Sequence, residues 1–180
     1  NNRPTTPVGT KRDPEDLPMR FETRFTKAGQ DPYATIDFRL ATSEIRNPDG
    51  TVVFQADNVE VPAQFSQVAT DILAQKYFRK AGVPRVSRRV EETSVPSWLW
   101  RSVPDEKALD DLPEDQRFVG ETSAKQVFNR LAGTWTYWGW KHGYFDGEKD
   151  ARAFFDEHRF MLAKQMAAPN SPQWFNTGLH

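Results

Sequence analysis

Residues 62–81 read PAQFSQVATDILAQKYFRKA. Phe65, Val68, Ala69, Ile72, Leu73 and Lys76/Tyr77 recur at spacings of three and four, the period that gathers side chains on one face of an α-helix. Pro62 stands near the start, and Gly82 followed by Pro84 ends the stretch. Two later stretches repeat the pattern. Residues 121–142 open on Glu121-Thr122-Ser123, where Thr122 or Ser123 can cap a helix, and continue through Val127, Phe128, Leu131, Ala132, Trp135 and Trp138. Residues 148–167 carry a stripe of Ala151, Phe154, Phe155, His158, Met161, Leu162 and Gln165, which Pro169 and Pro172 stop.

Ahead of these helices the period changes to two. Tyr33 to Leu40 alternates with Ile36, Phe38 and Leu40 on one face, and Thr51-Val52-Val53-Phe54 follows Asn47-Pro48-Asp49-Gly50. Asp-Gly between two such runs predicts a hairpin, because both turn positions tolerate positive φ. The expectation is a mainly α domain with a small antiparallel β ribbon at its front. Residues 1–19 read as a disordered leader, 20–61 as extended or ribbon, 62–168 as helical, and 169–180 as the start of a polar loop. Within the helical part, 83–120 reads as a long linker. It holds the aromatic cluster Pro96-Ser97-Trp98-Leu99-Trp100 and an acidic helical turn from Asp105 to Leu112.

Composition narrows the function classes. The chain has 180 residues, 37% hydrophobic and 27% charged, with a net charge of -1, so bulk attraction to nucleic acid or to an anionic membrane is not expected. Mean hydropathy is -0.74, and no apolar run approaches a membrane span. A cytoplasmic protein is the default expectation. There is no cysteine, which excludes disulfides, thiolate zinc sites and thiol radical chemistry within these residues. Thirteen Phe and six Trp suggest surfaces made to pack against something else.

Candidate chemistry is sparse. His142, His158 and His180 lack metal-ligand spacing. The carboxylates fall in polar, solvated segments, and nothing marks a buried pair. No glycine-rich phosphate loop is present. Trp135-Thr136-Tyr137-Trp138-Gly139-Trp140 reads as a helix end with Trp135 and Trp138 in a core or interface, ahead of a base-stacking platform. The loop Asn170-Ser171-Pro172-Gln173 places short polar side chains just past a helix. A turn capping that helix is one reading; Ser171 donating to a phosphate or sugar oxygen is the other.

Several long blocks carry a resemblance. They are RFTKAGQDPY (24–33), ATSEIRNPDG (41–50), LAQKYFRKAGVP (73–84), FVGETSAKQVF (118–128) and APNSPQWFNTG (168–178), in this order over residues 20–180. Together they resemble the amino-terminal part of the adenosylcobalamin-dependent (class II) ribonucleotide reductases. The resemblance implies reduction of ribonucleoside diphosphates at the 2′ position, making deoxyribonucleotides for DNA synthesis. In that family cobalamin delivers a radical to a cysteine on a ten-stranded α/β barrel, and a cysteine pair supplies the electrons. The Asn-Ser-Pro loop lies at the barrel entry and its serine contacts substrate, which carries over to Ser171.

On this resemblance the chain stops before the barrel, and the catalytic cysteines lie beyond His180. The chain alone would then be inactive. It would support the carboxy-terminal barrel and supply one edge of the substrate pocket, with a homodimer as a further possibility. No cobalamin contact is assignable from the sequence. Two alternatives stand beside this reading: a stand-alone or split-subunit interaction module without catalytic activity, and a single-strand nucleic-acid binder using the Trp cluster.

Overall fold

The computed structural model describes residues 17–178. The leader expected over 1–19 therefore lies outside the described residues except for its last three positions, and His180 lies outside them too. Met19 donates its N–H to the Tyr144 carbonyl at 2.6 Å and accepts from the Asp146 N–H at 3.0 Å. The chain's described front is thus tied to the turn at 142–147.

The expectation of a mainly α domain is overturned. Of the described residues helix accounts for 39% and strand for 20%, the named strands being divided among three two-stranded antiparallel sheets. Two causes account for this. The hairpin strands differ from their alternating runs: β1 is Phe38–Arg46, sharing only 38–40 with the run expected from Tyr33 and leaving Leu40 exposed, and β2 is Val52–Pro62, eleven residues where the run at 51–54 had four. The segment expected as linker folds into small ribbons, with β3 (Val83–Pro84) on β6 (Phe118–Val119) and β4 (Ser87–Arg89) on β5 (Ser102–Pro104). Between β5 and β6 lie two short helices, α2 (Glu106–Asp110) and α3 (Glu114–Arg117).

The hairpin turn forms where Asp49-Gly50 placed it. Gly50 has φ 89, and the Asp49 carboxylate accepts from the Thr51 N–H at 2.9 Å. A bulge falls between Ala41 and Ser43, where β2 holds one extra residue with Asn58 at φ 55. The bulge lets β2 bend so that Val59 and Val61 enter the core while the hairpin tip stays exposed.

The helix expected over 62–81 is shorter and changes type. Pro62 ends β2 instead of opening a helix. Ser66 caps α1 (Gln67–Ile72) by accepting from the Ala69 N–H, and a π-helical turn, Leu73–Tyr77, follows. Phe78 N–H bonds back to Leu73 O at 2.9 Å, closing that turn. Thr70, Leu73, Ala74 and Phe78 are buried, whereas Val68 is 67% exposed and Ile72 40%.

The long helices match their periodicity more closely. Ser123 caps α4 (Ala124–Lys141) in a reciprocal capping box with Gln126. α5 (Glu148–Ala163) packs along α4. It ends at Ala163, and Gln165 just beyond takes φ 56, ahead of the prolines expected to stop the helix. Gly139 gives α5's lead-in room: a Cβ there would stand 2.7 Å from the Phe145 ring. Phe128, fully buried, is the centre of the core. Its ring lies 6.4 to 6.5 Å from those of Tyr33, Phe65 and Trp174, so the segment before the hairpin, the link from β2 to α1, α4 and the segment around Trp174 meet on one side chain.

Candidate functional site

The segment beginning at Pro169 is not an irregular loop. It turns once and forms α6 (Ser171–Asn176), with Pro172 in the first turn, where a missing N–H costs nothing. Trp174 anchors it. The indole is 8% exposed, donates Nε1–H to the Pro169 carbonyl at 2.8 Å, and stacks on Tyr77 with centroids 5.2 Å apart and planes 12° from parallel. Asn170, Ser171 and Gln173 stay exposed. The Ser171 hydroxyl lies 3.1 Å from the Tyr77 hydroxyl. The one residue singled out from the sequence is therefore solvent-accessible on a backbone fixed from below.

What fixes that backbone is Arg130, which no motif singled out. Its guanidinium pairs with Glu121, Nε to Oε1 at 2.8 Å and Nη2 to Oε2 at 3.1 Å. Nη2 also donates to the Tyr77 carbonyl at 2.9 Å. Nη1 donates to the carbonyls of Trp174 at 3.1 Å and Thr177 at 3.0 Å. Both side chains are buried, at 9% and 4% exposure. Glu121 accepts in addition from the Arg79 N–H at 2.9 Å. One buried ion pair, with its polar atoms engaged, thus ties the π turn, the start of α4 and α6 together. Gly178 completes the seat: at φ +75, a Cβ would lie 2.8 Å from the Arg130 carbonyl and the Thr134 hydroxyl.

Other candidates separate. His142 sits exposed beside Tyr144, ring centroids 6.0 Å apart. His158 Nδ1 is 2.8 Å from the Phe154 carbonyl. Among the described residues no group of three or more His, Cys, Asp or Glu is placed to hold a metal ion. Trp138 is 51% exposed, while Trp140 donates to the Ser94 carbonyl at 2.7 Å, so the tryptophans form no common platform. Among the described residues no helix is long and apolar enough to cross a membrane.

The reading of the carboxylates as uniformly solvated needs correction, because the polar face of α5 is covered. Asp156, 1% exposed, takes Arg159 at 2.5 Å and Arg152 at 3.2 Å. Glu157 accepts from Thr26 Oγ1 at 2.6 Å, from the Thr26 N–H at 2.8 Å and from the Phe25 N–H at 3.1 Å. Burial pushes the Glu157 carboxyl up, and the hydrogen bonds from Thr26, Phe25 and Arg24 together outweigh it, holding the group below the usual range. The segment before Tyr33 is thereby strapped onto α5, with Phe25 stacked on Phe160 at 5.8 Å. Between strap and helix lies a cleft of about 880 Å³ lined by Phe21, Trp98, Arg152 and Asp156 among others.

Comparison with known proteins agrees with the block pattern. The family profile described as class II vitamin B12-dependent ribonucleotide reductase matches residues 39–165. The vitamin B12-dependent ribonucleotide reductase of Bradyrhizobium diazoefficiens is 72% identical over 162 residues, 90% of this chain and 13% of that protein. That of Agrobacterium fabrum is 68% identical over the same shares. That of Rhodopirellula baltica is 31% identical over 163 residues, again 90% and 13%. The chain belongs to the class II vitamin B12-dependent ribonucleotide reductase family, in its amino-terminal region, and it spans about 13% of the length of the curated relatives it matches.

Proposed function

We propose that this chain serves as the amino-terminal domain of a cytoplasmic, adenosylcobalamin-dependent ribonucleoside-diphosphate reductase that makes deoxyribonucleotides for DNA synthesis. Ser171 holds the substrate at one edge of its pocket. The observation carrying this reading is the Ser171 hydroxyl, exposed at the start of a helix that is itself locked by the buried Arg130–Glu121 pair. A hydroxyl on so rigid a mount suits holding a bound substrate, because it has little freedom left to lose on binding.

Adenosylcobalamin, when bound, supplies the radical that begins the reduction. We assign no described residue to it: no metal-holding cluster exists among the described residues. With no cysteine in the chain, thiol chemistry falls to the rest of the enzyme. What these residues do is bind and orient. Ser171 donates to a substrate oxygen, Tyr77 and Arg130 hold its surroundings, and the exposed apolar side chains Val68, Ile72 and Phe175 pack on the carboxy-terminal barrel.

Substituting Ser171→Ala in the full-length reductase tests this. Loss of one hydrogen bond to a charged substrate should raise KM for a ribonucleoside diphosphate about tenfold with little change in kcat. An unchanged KM and kcat would remove Ser171 from the substrate site.

A further inference from the structure

We infer that Tyr77 is a positioning residue for the substrate, acting through Ser171; the inference rests on the substrate-holding reading of that serine. Three independent ties converge on Tyr77. Its ring is stacked on Trp174 at 5.2 Å and packed on Phe175 at 5.4 Å. Its carbonyl accepts from Arg130 at 2.9 Å. Its hydroxyl meets Ser171 Oγ at 3.1 Å. The phenol oxygen therefore has little freedom to follow a moving partner, and the serine has one fixed neighbour on an otherwise exposed surface.

The chemistry sets the direction of the bond. Either hydroxyl can donate, but a phenol is the better donor and an aliphatic hydroxyl oxygen the better acceptor. With Tyr77 donating to Ser171 Oγ, the serine's own hydrogen is released to point away, toward an acceptor oxygen of a phosphate or ribose. A donor that is itself hydrogen-bonded at its oxygen is polarised and bonds more strongly. Tyr77 thus does two things without touching the ligand. It selects the serine rotamer, and it strengthens the serine as a donor. A purely packing role would need the ring but not the hydroxyl.

Tyr77→Phe separates these roles, since it keeps the ring and removes only the oxygen. The measurement is equilibrium binding of ADP to the cobalamin-free, full-length reductase carrying Tyr77→Phe, Ser171→Ala or both, with thermal midpoints recorded alongside. Ser171→Ala should weaken ADP about tenfold. Tyr77→Phe should weaken it by roughly three- to tenfold at an unchanged thermal midpoint. The double variant should bind like Ser171→Ala alone, because Tyr77 acts only through the serine. Normal binding by Tyr77→Phe, with Ser171→Ala impaired, overturns the inference and leaves the serine reading standing. Multiplying effects in the double variant overturn it as well, by showing that the phenol meets the ligand itself. Unimpaired binding by Ser171→Ala sinks the serine reading, and this inference with it.

Discussion

Replacing Arg130 by Met should unlock the end of the chain. The side chain is 9% exposed and its partner Glu121 4%, so the substitution strands a carboxylate that keeps only the Arg79 N–H at 2.9 Å. Breaking a buried pair by removing one partner costs about 3–5 kcal/mol. For a domain of this size each kcal/mol moves Tm by about 2–4 °C, so a loss near 4 kcal/mol corresponds to roughly 8–16 °C. The carbonyls of Tyr77, Trp174 and Thr177 lose their donor at the same time. For that reason the paired change Arg130→Met with Glu121→Leu should recover only part of the loss, since it relieves the stranded charge but not the carbonyls. Urea unfolding gives the stability, and hydrogen exchange at the amides of 171–178 gives the local effect. A loss below about 1 kcal/mol, or unchanged exchange at those amides, would refute the idea that this pair holds α6. Full recovery in the paired variant would show that the carbonyls find other partners.

Gly178→Ala should destabilise by roughly 1–2 kcal/mol, because it places a Cβ at positive φ and against the Arg130 carbonyl; a Tm equal to the parent's would mean the contact yields. Acid should loosen the strap over α5. The Glu157 carboxyl is held below its ordinary value in the folded chain, so its contribution is present above the unfolded value near 4.3 and fades as pH falls through the lower folded value. Protection of the Phe25 and Thr26 amides should fall over that window, whereas Glu157→Ala, which removes the acceptor, should lower it already at pH 7; pH-independent protection would contradict this. The chain in isolation should bind a hydrophobic dye or self-associate through Val68, Ile72, Met166 and Phe175, all exposed. A monomer by sedimentation that leaves the dye dark would count against a covered face.

The parts of the fold legible in the sequence are those whose signals are local. Ser123 and Gln126 stand three apart and cap α4 as such pairs do, and Asp49-Gly50 makes its turn with partners no farther off than Arg46 and Thr51. What was not legible depends on contacts between distant segments. The polar face of α5 looks solvated in sequence because Glu157 meets Thr26 only after the chain folds back. Val68 and Ile72 kept the helical period yet face outward, while Thr70 between them is buried and donates its hydroxyl to the Ser66 carbonyl at 2.9 Å. β3 and β6 are two residues each, too short to leave any period. At the candidate site Ser171 was singled out through block resemblance alone. Arg130 was not, since a buried arginine in an apolar stripe announces itself only by the carbonyls around it.

The π turn at Leu73–Tyr77 makes chain length itself a geometric variable. Each residue of an α-helix advances the side chains by about 100°, and the wide turn inserts one residue's worth of rotation just before Tyr77. Deleting a single residue between Ser66 and Tyr77 would let an ordinary helix form there, regular and comfortable in itself. It would also swing the phenol away from Ser171 and the carbonyl away from Arg130. The stretch works as a phase-setter: apart from the buried Leu73 and Ala74 and from Tyr77 itself, its letters can be exchanged with modest consequence, but their number cannot.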